Sequence, residues 1–164
     1  MKKTIEIIGS MLQRRGDFQE ATICCIANDG FIRAQFSPAE HGPDVELVIH
    51  PLKSRAGHLL RVCNLRALTL EAGTDAARLC QLLTKTLFIG SFNCLNDDGS
   101  SIGYIAQQFL CDACPPRSVL NRMIDEALGA ALLCRRVAAA SSHRRTTASL
   151  LEAVLPREAR PALN

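Results

Sequence analysis

Apolar residues recur at the 3.6-residue spacing of an amphipathic helix in three parts of the chain. Residues 4–15 form the first, and Gly16 should end it because glycine readily takes the left-handed conformation of a helix C-terminus. The second helix is expected to follow the capping pair Thr74-Asp75 and to run up to about residue 90. The third should open at Pro115-Pro116, where first-turn amides need no helical partner, and fade over 138–142. Their apolar faces are Ile5, Ile8 and Leu12, then Ala76, Leu79, Cys80, Leu83 and Leu87, then Leu120, Met123, Ile124, Ala127, Leu128, Ala131 and Cys134.

Between the first two helices the pattern is typical of β-strands. Runs 21–27 and 31–36 contain β-branched and aromatic residues, and Asn28-Asp29-Gly30 between them is a strong hairpin signal. Apolar and polar residues then alternate over 45–50, as in a half-buried strand. The remaining expectations are a loop at 37–44, a turn at 51–57, a strand at 59–65, and a second hairpin of 91–95 with 102–109 across Asn96-Asp97-Asp98-Gly99.

This succession of elements predicts an α+β fold in the order α-β-β-β(-β)-α-β-β-α. Strands joined by hairpins form a mainly antiparallel sheet, and the helices are expected to pack on one of its faces. Residues 1–140 should form this single domain, because 164 residues leave room for one core and a tail. Residues 141–164 are expected to form a basic C-terminal tail.

Composition narrows the possible function classes. Hydrophobic residues make up 48% of the chain and charged residues 21%, as in an ordinary globular protein. The net charge is +3, with no Trp and one Tyr, which does not favour a nucleic-acid surface. No apolar run approaches the length of a membrane span, and Glu6 interrupts the only stretch that imitates a secretory signal. We therefore expect a cytoplasmic protein whose eight cysteines are reduced thiols, mostly buried in the core.

Cys111-Asp112-Ala113-Cys114 is the main candidate for chemistry. A C-x-x-C pair before a helix can be redox-active, because a helix N-terminus favours thiolate. In redox enzymes, however, the motif follows the first strand of a βαβ unit, whereas here it follows a hairpin. As half of a zinc site it would need two further ligands, and neither a second C-x-x-C nor a histidine pair with finger spacing is present. Incidental thiols are the favoured interpretation, with redox activity and metal binding as alternatives.

Two other patterns give little support for a chemical function. Gly99-Ser100-Ser101-Ile102-Gly103 matches the G-x-S-x-G signature of serine hydrolases, but Ser101 is expected to leave a hairpin turn and enter a strand. The histidines show no metal-binding spacing; His50 and His58 flank one predicted turn, where solvated side chains are the favoured interpretation. No cofactor is expected.

The C-terminal tail is the most basic part of the chain. Arg144 and Arg145 supply positive charge, and Leu150 and Leu151 could add an apolar contact in a brief helix. These four residues are a candidate partner-binding element. A loose end is the favoured alternative, since chain termini are usually poorly ordered.

One stretch has the appearance of a known family. A helix around residues 79–88 leads into Gly90-Ser91-Phe92-Asn93-Cys94 and the acidic turn Asn96-Asp97-Asp98-Gly99. The strand Ile102-Gly103-Tyr104-Ile105-Ala106 and a helix from Ser118 to Leu133 complete the pattern. This stretch, from Ala76 to about Val137, resembles the YbjN-like family, whose fold is similar to that of the type III secretion chaperones.

The resemblance implies an α-β-β-β-α-β-β-α layout, frequent dimerisation and no catalytic residues. Members are described as sensory or regulatory proteins, and the similar secretion chaperones bind extended segments of other proteins. The chain departs from the pattern in its additional strand before the second helix, its many cysteines and its basic tail.

Together these features predict a non-enzymatic protein-binding module that acts as a homodimer. The partner is unknown, and its segment is expected to bind an apolar helix or sheet face by groove packing or strand addition. The alternative is a thiol-disulfide redox protein that uses Cys111 and Cys114. Neither a membrane nor a nucleic-acid partner is favoured.

Overall fold

A computed structural model describes residues 2–26, 29–37, 44–55, 57–70 and 74–141 of the chain. Within these ranges three helices and six strands follow one another as predicted, including the optional fourth strand before the second helix. The helices are α1 (Lys2–Leu12), α2 (Ala76–Thr84) and α3 (Arg117–Ser141). The strands are β1 (Phe18–Ile26), β2 (Asp29–Phe36), β3 (Val45–Ser54), β4 (Gly57–Thr69), β5 (Gly90–Cys94) and β6 (Ser101–Leu110).

The six strands form one sheet in the spatial order β1-β2-β3-β4-β6-β5, and every neighbouring pair is antiparallel. The first four strands follow each other along the sheet. Helix α2 then separates β4 from the β5–β6 hairpin, which returns with β6 against β4. Strands β1 and β5 therefore lie at the two edges.

Alternation along the strands sends one set of side chains into the core. Ile32, Leu47, Val62, Tyr104 and Phe92 represent β2, β3, β4, β6 and β5 in a buried layer that meets the apolar faces of all three helices. The predicted α+β fold, an antiparallel sheet with helices on one face, is thus confirmed. The helix residues predicted to be buried are buried, except Leu87, which lies half-buried beyond the end of α2.

The helix ends differ from the prediction for local reasons. Helix α1 stops at Leu12, before Gly16, and turn-type hydrogen bonds from Arg14 and Arg15 close its last turn. Helix α2 stops at Thr84: turn-type hydrogen bonds from Thr86 and Leu87 close its end, and the amides of residues 88–90 donate to a side chain of α3. Helix α3 continues through 138–141, where the sequence suggested fading.

Two strands extend into predicted turns. Asp29 and Gly30 lie inside β2 and pair with Ile26 and Cys25, while residues 27–28 are outside the described residues. Residues 51–54 continue β3, and β4 begins at Gly57. The second hairpin is confirmed: Gly99 in its turn has a φ of 67°, a conformation that favours glycine. Most of the predicted loop at 37–44 lies outside the described residues.

Strand β4 is longer than the predicted 59–65 and contains an irregularity. Its pairing with β6 is regular from His58 to Asn64 and resumes at Leu68 in a shifted register. Such a bulge increases the local twist and redirects side chains. It leaves Leu65 half exposed on the sheet face away from the helices.

Candidate functional site

The face of the sheet opposite the described helices, called the open face below, is the candidate binding surface. In the described part of the chain, the core is built from helix side chains and from the strand side chains that point to the helix side of the sheet. Phe31 on β2, Val48 on β3, Cys63 on β4 and Ile105 on β6 belong to the open face, because their neighbours along each strand point into the core. A single antiparallel sheet commonly has one such face, and it is normally polar.

Here the open face carries apolar side chains in rows across the strands. The register places Val48 opposite Cys63 and Cys63 opposite Ile105, which makes one continuous apolar row over three strands. Leu65, two residues beyond Cys63 on β4, is 48% exposed. Phe31 packs edge-on against His50 with ring centroids 6.0 Å apart. Cross-strand apolar neighbours of this kind stabilise a sheet and also offer a binding surface.

A groove of about 790 Å³ lies over β2, β3 and β4 and ends against the C-terminal half of α3. Its apolar lining includes Phe31, Val48 and Leu65. A smaller groove of about 130 Å³ over β1 continues it, because the two share Arg33, Gln35 and Glu46. The result is an elongated trough from the edge of the sheet to α3.

Charged groups sit at defined points of the trough. Arg33 and Glu46 form an ion pair across β2 and β3 with a nitrogen–oxygen distance of 2.9 Å, and both side chains are well exposed. Such a pair adds little stability, since water screens it and both side chains lose rotamer freedom. The ion pair can therefore open easily, and either side chain could then pair with a charged group of a ligand.

Arg135 of α3 stands at the closed end of the trough. Its Nη2 donates to the carbonyl oxygen of Asp44 over 3.0 Å. Its Nη1 is buried and has no acceptor among the described residues. A buried guanidinium nitrogen without an acceptor is costly, so an acceptor supplied by a ligand would be strongly favoured here.

Strand β1 adds a second feature at the open end of the trough. It is nine residues long and pairs with β2 along one side, and no described strand pairs with its other side. Glu20 is its one charged residue, and Ile23 is half exposed. Edge strands that avoid association are usually short or rich in charge, and β1 is neither.

The residues predicted to carry chemistry are not assembled into a site. Cys111 is exposed and Cys114 half-buried in the segment between β6 and α3. Two prolines separate Cys114 from Arg117, the first residue of α3, so neither sulfur lies in the first turn of the helix. No group of three or more His, Cys, Asp or Glu side chains in the described parts of the chain could hold a metal ion. Arg144, Arg145, Leu150 and Leu151 lie outside the described residues.

Other sequence expectations have clearer outcomes. Ser101 is the first residue of β6, as expected for the end of a hairpin turn. Cys63, Cys80 and Cys134 are buried as predicted, and burial raises the pKa of all three thiols. Cys94, in contrast, is exposed at the end of β5. Among the described residues, the sulfur atoms of Cys80 and Cys94 are in contact.

The carboxylate of Glu126 on α3 makes a set of hydrogen bonds that the sequence did not predict. Its carboxylate accepts hydrogen bonds from the backbone amides of Phe88, Ile89 and Gly90 over 2.7–3.0 Å, and one from the hydroxyl of Tyr104 over 2.9 Å. Partial burial would raise the pKa of Glu126, but these four donors outweigh it and lower the pKa. Burial, together with the bond to Glu126, raises the pKa of Tyr104. These hydrogen bonds to Glu126, called the clamp below, hold the segment before β5 against α3.

No family model, curated protein or solved structure matches the chain. In the described part of the chain no helix is both long and apolar enough to cross a membrane.

Proposed function

We propose that this protein is a non-enzymatic protein-binding module of the chaperone-like or regulatory kind suggested by the YbjN-like resemblance. The trough on the open face receives an extended, largely apolar segment of a partner protein. The observation that carries the proposal is the groove lined by Phe31, Val48 and the half-exposed Leu65, on the sheet face opposite the one on which the described helices pack.

The shape of the trough supports an extended segment over a compact ligand. Its two grooves share residues of β2 and β3 and together run from β1 to α3. Successive side chains of an extended chain point to opposite sides, so every second side chain of the segment would meet the apolar lining of the trough, which includes Phe31, Val48 and Leu65.

The ends of the trough supply the polar contacts. At one end Arg135 offers a buried nitrogen that needs an acceptor, such as a carbonyl or carboxylate oxygen of the segment. At the other end, the side of β1 with which no described strand pairs offers main-chain groups for strand addition. Apolar burial would thus provide affinity, and these contacts would fix the register of the segment.

The protein would act as a homodimer, as the family resemblance implies, with the contact between copies outside the trough. Sedimentation equilibrium at micromolar concentration is expected to give twice the mass of the chain. A strictly monomeric mass over that range would contradict this part of the proposal.

Site-specific photo-crosslinking tests the binding surface. A photoreactive side chain at Leu65 reports on the trough, and the same side chain at Phe88 is the matched control, because Phe88 is 90% exposed on the helix side. We expect adducts at residue 65 that mass spectrometry maps to one segment of another protein. The segment, made as a peptide, should then bind the purified chain.

Three results would contradict the proposal. Equal adduct formation at residues 65 and 88 would show unspecific capture, and adducts at residue 88 alone would place the site beside α3. An adduct at residue 65 that joins two copies of this chain would make the open face a surface for self-association.

A further inference from the structure

A pair of thiols outside the trough suggests a modification site. Cys80 of α2 and Cys94 of β5 have their sulfur atoms 3.9 Å apart. They are 14 positions apart in sequence, and the packing of α2 on β5 brings them together. A disulfide has its sulfurs about 2.05 Å apart, so bond formation requires an approach of roughly 2 Å.

The surroundings permit this approach. Cys94 is the last residue of β5, a five-residue edge strand that pairs on one side with β6. The chain then enters the hairpin turn at residues 95–100. Side-chain rotation at both cysteines, with a small shift at the end of this edge strand, would bring the sulfurs within bonding distance.

The two thiols differ in access to solvent. Cys94 is exposed, whereas Cys80 is 7% exposed and lies in the core beside Cys134. Burial, and then the neighbouring Cys94, raises the pKa of Cys80 to about 12. The exposed sulfur is thus the one that a dissolved oxidant meets first, and the buried sulfur waits within reach.

We propose that Cys94 and Cys80 form a reversible disulfide in which Cys94 is the oxidant-accessible thiol and Cys80 the resolving thiol. The co-reactant is a peroxide of the hydrogen peroxide class. The sulfur of Cys94 attacks one oxygen, the O–O bond breaks, and a sulfenic acid and one water result. The sulfur of Cys80 then attacks that of Cys94, the S–O bond breaks, and the proton of Cys80 leaves with the hydroxide as a second water.

The balance is two thiols and one peroxide to one disulfide and two waters, with two electrons passing from sulfur to oxygen. A small thiol of the glutathione class reverses the reaction by two exchanges. The disulfide would join α2 to the edge of the sheet. This site is independent of the proposed trough and of the Cys111–Cys114 pair.

Peptide mapping of the peroxide-treated full-length chain tests the proposal. Cleavage after Arg78 and Lys85 and before Asp97 places Cys80 in residues 79–85 and Cys94 in residues 86–96. Cleavage before Asp112 also separates Cys111 from Cys114. With one equivalent of hydrogen peroxide we expect residues 79–85 linked to residues 86–96, and loss of the link on treatment with reduced glutathione. Cys94→Ser should abolish the link, and Cys80→Ala should leave a sulfenic acid at Cys94 that dimedone traps.

The double variant Cys111→Ser/Cys114→Ser is the matched control and should form the link at the wild-type rate. Since the wild-type chain is mapped directly, a variant that fails to fold does not affect the outcome. The proposal is overturned if peroxide oxidises Cys111 and Cys114 but leaves Cys80 and Cys94 unlinked, or if Cys94 is over-oxidised while Cys80 stays a free thiol.

Discussion

The backbone at Gly90 packs so closely against Tyr104 that the position has no room for a side chain. A Cβ atom at residue 90 would lie 2.5 Å from Cε2 and 2.6 Å from the hydroxyl oxygen of Tyr104. Tyr104 is fully buried and bonded to Glu126, so it cannot move aside. We expect Gly90→Ala to lower the free energy of unfolding by about 1–3 kcal/mol, the usual cost of overpacking, as measured by urea denaturation.

Gly129 is the matched control for that substitution. It lies in α3, and a Cβ there would meet nothing within 4 Å. Gly129→Ala should raise the free energy of unfolding by about 0.5–1 kcal/mol, because alanine loses less conformational freedom in a helix. Equal effects of the two substitutions would contradict the close approach of Tyr104 to the backbone.

Arg135 separates the stability of the free protein from binding. Arg135→Met keeps an unbranched stem and removes the buried nitrogen that has no acceptor among the described residues. We expect the free energy of unfolding of the free chain to stay the same or rise by up to about 1 kcal/mol. Affinity for the partner segment, measured by calorimetry, should fall about tenfold, which corresponds to about 1.4 kcal/mol.

Arg136 provides the control, since it is exposed on α3 and lies near Phe88 on the helix side of the sheet, outside the trough. Arg136→Met should leave the affinity unchanged. A loss of stability in Arg135→Met without a loss of affinity would mean that Arg135 is a structural residue.

At the scale of elements, Glu126 joins α3 to the segment between α2 and β5. Because its pKa is lowered in the folded state, its contribution to stability is fully present above about 4.3, the ordinary glutamate value. That contribution is lost as the pH falls through the folded-state pKa. At pH 7 we expect Glu126→Gln to lower the free energy of unfolding by about 1–3 kcal/mol, because bonds to a charged acceptor are stronger.

The difference between wild type and Glu126→Gln should therefore shrink as the pH is lowered from 5 towards 2. Glu6→Gln, at an exposed position of α1, should change little at any pH. A difference that stays constant between pH 7 and pH 2 would show that the carboxylate charge does not hold the clamp.

The elements could be predicted from the sequence where one local pattern decides them. The apolar face of α3 and the β5–β6 hairpin at Gly99 are of this kind. Their exact ends could not, since they depend on distant groups. Past Thr84 the amides of Thr86 and Leu87 still bond to carbonyls of the last turn of α2, but those of residues 88–90 donate to Glu126, about 40 positions further along the chain.

The candidate site depended even more on tertiary structure. Val48 and Ile105 come from strands that the sequence predicts, but only the register makes them neighbours of Cys63. The bulge that exposes Leu65 has no sequence signal, and the contact of Cys80 with Cys94 requires that α2 packs on β5. The motif that the sequence did show, Cys111 with Cys114, is not part of an assembled site.

At the scale of the whole molecule, the fold divides its apolar surface unequally. All three helices serve one face of the sheet, and their packing provides the core. The other face keeps an apolar row, an exchangeable ion pair and a buried nitrogen that needs an acceptor. A partner segment would complete this second layer, and for this reason the account centres on the open face.

The most direct test compares the affinity of the crosslinked segment, as a peptide, for two variants. Leu65→Asp places a charge in the trough, and Phe88→Asp places the same charge at an exposed apolar position on the helix side. Calorimetric titration should show at least a tenfold loss of affinity for Leu65→Asp and wild-type affinity for Phe88→Asp, with both variants as stable as wild type. Unchanged binding by Leu65→Asp, or an equal loss in both, would contradict the assignment of the open face as the binding surface.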